Sequence, residues 1–173
     1  MFNRDILRTL KLPESVAKLQ KVSNPLYDQL DITGPGKFIF FKGAQGRSRL
    51  FTNFDGQNAL DNPRHYLVAG IRVMPAAGTP QADVEALSKR GYFTFLVGDK
   101  PFFEAPLSLL LAKSEALVNE GEHARAFYTL DHPILLPPQQ IFRPSIDLES
   151  PVVLSATVPV TLAFEGVLMR PAQ

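Results

Sequence analysis

The stretch Val158-Pro159-Val160-Thr161-Leu162-Ala163-Phe164-Glu165 decides the fold, because its apolar side chains fall on even positions and its small or polar ones on odd positions. This period of two is typical of a β-strand with one buried face. The strand is predicted to continue to Met169, about 40 Å at strand rise, which is long enough to cross a barrel. It therefore requires partner strands from earlier in the chain.

The composition limits the classes of protein. A chain of 173 residues is long enough for one sizeable core, which predicts a single domain. The absence of cysteine excludes disulfides, thiolate catalysis and cysteine-ligated metals. A net charge of +1 gives no case for nucleic acid binding, so no specific nucleic acid partner is predicted.

Targeting signals are also not predicted. No apolar run approaches the ~18 residues that a membrane span needs. The N-terminus lacks the apolar core of a signal peptide. We therefore expect synthesis in a cytoplasm.

Upstream of the last strand, period-two and β-branched or aromatic runs predict further strands. Gly70 interrupts one of them and predicts a bulge or a close backbone approach. Pro144 lies inside another and predicts an edge strand or a bulge. The strand beginning at Leu107 is predicted to be followed by a turn of helix or an irregular loop ending near Gly121. The predicted strands are 37–42, 49–54, 66–74, 92–97, the one beginning at Leu107, 124–130 with a continuation over 134–136 beyond a break at 131–133, 141–148 and 158–169.

Two segments are predicted to be helical. The first is a basic arm over 1–22, on which Ile6, Leu7 and Leu10 share one face. The second is an inserted helix with Thr79 as its N-cap, Pro80 at its first position and Gly91 at its end.

These elements predict an all-β fold, a single eight-stranded antiparallel jelly-roll barrel with a short N-terminal helical arm and one inserted helix. The arm takes residues 1–22 and the barrel residues 23–173. An immunoglobulin-like sandwich is the alternative, although its strands are usually shorter and it has no such helix.

No catalytic, cofactor or metal site is predicted, and the chain is not expected to be an enzyme. The histidines are too dispersed for a metal-ligand spacing, and a Gly-x-Ser-x-Gly nucleophile motif is absent. The clustered carboxylates are better explained by a solvated loop than by an acid–base pair. The residues considered are His65, His123 and His132, and Glu115, Glu120, Glu122 and Asp131.

A carbohydrate-binding module, or a phage spike or adhesin domain, remains the alternative function. Sugar-binding jelly rolls stack sugar rings on exposed aromatic side chains, whereas aromatic residues in strands are usually buried. The tyrosines that could form such a platform are Tyr27, Tyr66, Tyr92 and Tyr128.

The helical arm, the strands from Phe38 to Met169, the helix after Thr79-Pro80 and the final strand ending Gly166-Val167-Leu168-Met169-Arg170 together resemble one family. The sequence resembles the small single-jelly-roll major capsid proteins of tailless icosahedral bacteriophages that have an internal membrane and infect thermophiles. Fifteen prolines and no cysteine agree with the resemblance.

The resemblance implies a viral structural protein that builds an icosahedral shell. Its expected partners are a second copy of itself in a homodimer, a second, larger capsid protein and the internal lipid membrane. Its expected location is the virion. The residues predicted to form the assembly interface are Arg4, Ile6, Leu7, Arg8 and Leu10 of the arm, together with Pro137 and Pro138.

Overall fold

The fold is mostly β, with antiparallel sheets, which confirms the predicted class at that level. The computed structural model describes residues 19–43, 47–115 and 127–171. In those ranges it has nine strands and two helices, where eight strands and one inserted helix were predicted.

The elements follow the chain in this order. They are β1 Gln20–Ser23, β2 Leu26–Ile32, β3 Gly36–Ile39, β4 His65–Pro75, α1 Gln81–Arg90, β5 Gly91–Val97, β6 Lys100–Pro106, α2 Leu107–Glu115, β7 Tyr128–Leu136, β8 Phe142–Leu148 and β9 Val158–Arg170.

The strands form two sheets. Sheet A has β1 and β2 along one side of β9, followed by β4 and then β7, and sheet B has the order β3, β8, β5, β6. The two halves of the chain pair in reverse order: β5 with β6, β4 with β7, β3 with β8, and β1 and β2 with β9. The additional pairings β4–β9 and β5–β8 join these pairs into sheets.

β1 and β2 act as two parts of one long strand. Both pair with β9 in one continuous register, from Gln20 opposite Arg170 to Ile32 opposite Val158. Asn24-Pro25 interrupts the ladder because proline has no N–H to donate. The arm was predicted to be helical as far as Val22, and this was wrong for residues 20–22, which lie in β1.

The long strands were predicted well. The strand predicted over 158–169 is β9, and that over 66–74 is β4. The register of β4 shifts between Val68 and Gly70 against both neighbours, which confirms the bulge. A Cβ on Gly70 would also lie 3.1 Å from the carbonyl oxygen of Tyr128 on β7, so the backbone approaches closely here as well.

Two strand predictions were wrong. Residues 49–54 form no named strand, and only Thr52 makes an isolated bridge, to Asp28. The strand predicted from Leu107 is helix α2, since Leu107, Leu110 and Leu111 are buried at helical spacing while Leu109 is exposed. Leu107, Leu109 and Leu111 alternate in the sequence with the period of a strand, which is why a strand was predicted here.

The edge position predicted from Pro144 was also wrong, because β8 lies between β3 and β5. Phe40 donates its N–H to the Pro144 carbonyl at 3.0 Å, at the point where β3 has ended. Pro144 has no N–H to donate to the Phe40 carbonyl in return. The side-chain amide of Asn58 donates to this carbonyl instead, at 2.9 Å. A central strand therefore accommodates this proline.

The inserted helix is α1, but Thr79 is not its cap. The Thr79 hydroxyl donates to the Ala76 carbonyl at 2.7 Å, and Pro80 occupies the N-cap position. Gly91 ends the helix as predicted. It does so in an extended conformation, because the chain turns directly into β5 and a Cβ would lie 2.2 Å from Cδ1 of Leu107.

The inner faces of the two sheets share a core rich in phenylalanine. The ring of Phe164 on β9 stacks on Phe95 of β5, with 4.8 Å between centroids, and on Phe41 at 5.3 Å. Phe142 of β8 joins them through Phe41, at 5.8 Å, and Phe95, at 6.5 Å. Aromatic contacts of this kind stabilise beyond the area they bury, so this cluster holds sheet A against sheet B.

Tyr66 places a hydroxyl inside this core. Its oxygen lies 2.8 Å from the carbonyl oxygens of both Asn24 and Phe164. Burial raises the pKa of Tyr66 well above its ordinary value. The hydroxyl therefore stays protonated and ties the β1–β2 junction to β9.

We expect Tyr66→Phe to lower the free energy of unfolding by about 1 kcal/mol at neutral pH, where a buried hydrogen bond is lost. In the wild type, only the unfolded chain releases this proton above pH ~10, so its stability falls by about 1.4 kcal/mol for each further pH unit. The variant lacks this contribution, and its stability should fall less steeply. Urea unfolding from neutral to alkaline pH measures both slopes, and parallel curves would contradict the prediction.

Candidate functional site

The predicted assembly residues of the arm, Arg4, Ile6, Leu7, Arg8 and Leu10, lie outside the described residues. Described structure begins at Leu19, which packs against a small apolar cluster on the outer face of sheet A. We call this cluster the outer patch. Its buried members are Leu67, Val167 and Met169, with Leu19 and Leu135 half-buried beside them.

The outer patch is unusual in position. Leu67 lies beside Tyr66, which faces the main core, so consecutive side chains of β4 are buried on opposite faces of the sheet. An antiparallel sheet often leaves one face to solvent. Here sheet A buries apolar side chains on both faces at the end where β1 begins.

The two predicted assembly prolines are described. Pro137 and Pro138 are half-buried in the connection between β7 and β8. Pro138 forms an isolated bridge with Leu60, and Gln139 donates its N–H to the Leu60 carbonyl at 2.8 Å. These contacts hold the β7–β8 connection against the loop that contains Leu60, so only part of the surface of the connection faces outward.

The residues considered for chemistry do not converge where they are described. In the described ranges no group of three or more His, Asp or Glu side chains could hold a metal ion. Tyr66 is buried, whereas Tyr27 and Tyr128 belong to sheet A and Tyr92 to sheet B, so the four tyrosines do not form one platform. His123, Glu120, Glu122 and the side chain of Glu115 lie outside the described part.

A buried carboxylate fixes the loop after β3. Asp28 of β2 accepts from the Phe41 N–H at 2.6 Å and from Nη1 of Arg47 at 2.7 Å. Arg47 also donates to the Gln29 carbonyl. A buried carboxylate with paired, charge-assisted donors is well satisfied, so this network holds Phe41 in the core despite its positive φ of 60°.

A second carboxylate fixes the loop between β8 and β9. Asp83 of α1 accepts from the Ser155 hydroxyl at 2.6 Å and from the Ser155 N–H at 2.9 Å. These hydrogen bonds lower the pKa of Asp83. Asp83 lies in the first turn of α1, so these hydrogen bonds tie the start of the helix to a distant loop.

The outer strands carry features that limit uncontrolled strand addition. The segment 51–53 covers β2, with Gln29 donating its N–H to the Phe51 carbonyl at 2.9 Å and Asn53 donating to the Tyr27 carbonyl at 3.2 Å. β3 has only four residues. β6 contains Pro101 and Pro106. The outer edges of the two sheets are thus suited to contacts through side chains.

The outer strands β6 and β7 border a shallow groove of about 190 Å³, which we call the edge groove. On one side Phe102 exposes 53% of its surface. Phe103 and Tyr128 pack together with 5.2 Å between ring centroids. Asp131 and His132 are exposed on the other side. The lining residues are Phe102, Phe103, Tyr128, Leu130, Asp131, His132 and Ile134.

Sequence reasoning missed this groove because it missed β6. The pair Phe102-Phe103 lies between two prolines and two charged residues, and these residue types have a low propensity for β-strands. Tyr128 and His132 were both considered, but for other sites. Only the pairing of β6 with β5 brings the two phenylalanines beside β7.

No family model matches the chain, and neither the curated proteins nor the solved structures compared with it give a match. Within the described residues, none of the helices has the length and apolar character needed to cross a bilayer.

Proposed function

We propose that this protein is a small major capsid protein that builds an icosahedral shell, and that its domain is a single jelly-roll barrel. The observation that carries the proposal is the reverse-order pairing of the chain halves around the β5–β6 hairpin. If β1 and β2 count as one strand, the described residues form eight strands in two four-stranded sheets. Jelly rolls have this strand number and two-sheet arrangement, and they occur in viral capsids, lectins and cupins.

Two features favour the capsid role among these classes. The outer patch of Leu67, Val167 and Met169 packs against Leu19, the first described residue, which lies within the range predicted for the arm. The predicted arm carries the apolar residues Ile6, Leu7 and Leu10, which suit a contact between subunits. The loops are tied by Asp28 and Asp83, which gives a subunit the rigid ends that a lattice requires.

The proposed partners follow from this role. One copy associates with a second in a homodimer through the arm, and the dimers assemble with a larger capsid protein. The basic arm, with Arg4 and Arg8, suits the anionic surface of an internal membrane as a third partner. In particles from which the protein comes, electron microscopy should show barrels of this fold in the shell. Shells without them would refute the capsid role.

The dimer can be tested with the full chain. Light scattering after size exclusion should give a dimer for the wild type at high concentration. The triple variant Ile6→Gln, Leu7→Gln, Leu10→Gln should be monomeric with an unchanged circular dichroism spectrum, because the apolar contact is lost while the barrel remains.

The matched control is the triple variant Lys11→Gln, Glu14→Gln, Lys18→Gln, which alters the same arm without its apolar face and should remain dimeric. A wild type that is strictly monomeric at high concentration would overturn the homodimer. Equal dimerisation of the apolar variant and the wild type would remove the arm from the interface.

A further inference from the structure

The edge groove exists because β7 leaves the register of β4. Ile134 pairs with Val68 and Thr129 with Gly70, so β7 uses five residue steps where β4 uses two. The intervening residues 130–133 cannot all remain in the ladder, and Asp131 and His132 are exposed at the side of the groove. The bulge thereby places polar groups next to the aromatic residues of β6 and β7.

The edge groove combines aromatic rings with polar side chains. Phe102 offers a half-exposed ring, and the packed pair of Phe103 and Tyr128 provides further aromatic surface. Asp131 offers carboxylate oxygens that accept hydrogen bonds, and His132 offers ring nitrogens that donate or accept. A ligand that fits has an apolar face for the rings and hydroxyl groups around its rim, which is the chemistry of a pyranose sugar.

The size and the charge of the edge groove limit the class of ligand that it can bind. The groove measures about 190 Å³, below the ~300 Å³ at which pockets for drug-sized molecules begin. It therefore suits one ring rather than an extended ligand. The single carboxylate of Asp131 disfavours an anionic sugar, since like charges repel.

We propose that the edge groove binds the neutral pyranose ring of a glycan, with Phe102 as the stacking platform and Asp131 as the hydroxyl acceptor. This site is independent of assembly through the arm. A capsid subunit that carries it would contact sugars on a cell surface through the side of the barrel bordered by β6 and β7.

The experiment measures saturation transfer from the full-length protein to methyl glucoside, methyl galactoside and methyl mannoside, each at millimolar concentration, where weak binding is detectable. Glucuronic acid is the anionic probe. At least one neutral sugar should give a saturable signal that is strongest on its ring C–H protons, and glucuronic acid should give none. Phe102→Ala and Asp131→Asn should each weaken the signal at least tenfold.

The matched control is Tyr92→Ala, which removes an aromatic ring of similar exposure, 42% against 53%, that does not line the groove. It should bind the sugar as the wild type does. Circular dichroism of each variant checks that it is folded. The proposal is overturned if no neutral sugar gives a saturable signal, if glucuronic acid binds equally well, or if Tyr92→Ala weakens binding as much as Phe102→Ala. None of these results depends on whether the protein dimerises.

Discussion

Gly166→Ala should destabilise the protein by about 3 kcal/mol or more, at the upper end of the range for overpacking. A Cβ at this position would lie 2.0 Å from the Leu67 carbonyl oxygen and 2.8 Å from Cε1 of Tyr66. The Leu67 oxygen belongs to the backbone and cannot rotate away. The added methyl group must therefore push β9 from β4 and distort the ladder at the centre of sheet A.

Urea unfolding measures this loss. Gly34→Ala is the matched control, because a Cβ on Gly34 would have no atom within 4 Å, and it should change stability by less than about 0.5 kcal/mol. A domain of this size has a total stability of about 5–15 kcal/mol, so Gly166→Ala removes a large share of it. Equal unfolding midpoints for the two variants would show that β9 and β4 can separate without cost.

Phe164→Ala should be comparably severe, with a loss of about 3–5 kcal/mol, as for other buried phenylalanines. The ring is fully buried and stacks on Phe95 of sheet B and on Phe41. Its removal leaves a cavity between the two sheets that rigid strands cannot close. Phe164→Leu fills part of the space and should lose less.

The matched control for Phe164→Ala is Phe102→Ala, which removes the same side chain from a half-exposed position. It should change the unfolding free energy by about 0.5 kcal/mol or less. Denaturant unfolding of Phe164→Ala, Phe164→Leu and Phe102→Ala ranks their losses of unfolding free energy. A loss below about 1 kcal/mol in Phe164→Ala would show that the core collapses to fill the cavity.

The sequence predicted three of the central strands closely. β9, β4 and β5 alternate clearly or are strongly apolar, and their predicted bounds agree with the structure within one residue. β6 was missed because an outer strand tolerates prolines and charges that a central strand would not. Pro144 led to the opposite error, since its missing N–H is compensated by Asn58, which is distant from Pro144 in the sequence and lies outside the strands.

The candidate sites were harder to predict because they depend on which strands become neighbours. Nothing in the local pattern of Leu67, Val167 and Met169 shows that their face of the sheet is also buried. The edge groove needs the β5–β6 hairpin and the displaced residues 130–133 together, and these are separated by a helix in the chain. Pairing partners distant in sequence cannot be deduced from periodicity alone.

The position of β9 between β1–β2 and β4 also determines when sheet A can form during synthesis. On a ribosome, β2 and β4 are made more than eighty residues before the strand that joins them, so neither can complete its hydrogen bonding until translation of β9 is nearly finished. Contacts so distant in sequence slow folding, and incomplete sheets expose edges that aggregate. Sheet A must therefore stay incomplete in the nascent chain until β9 leaves the exit tunnel.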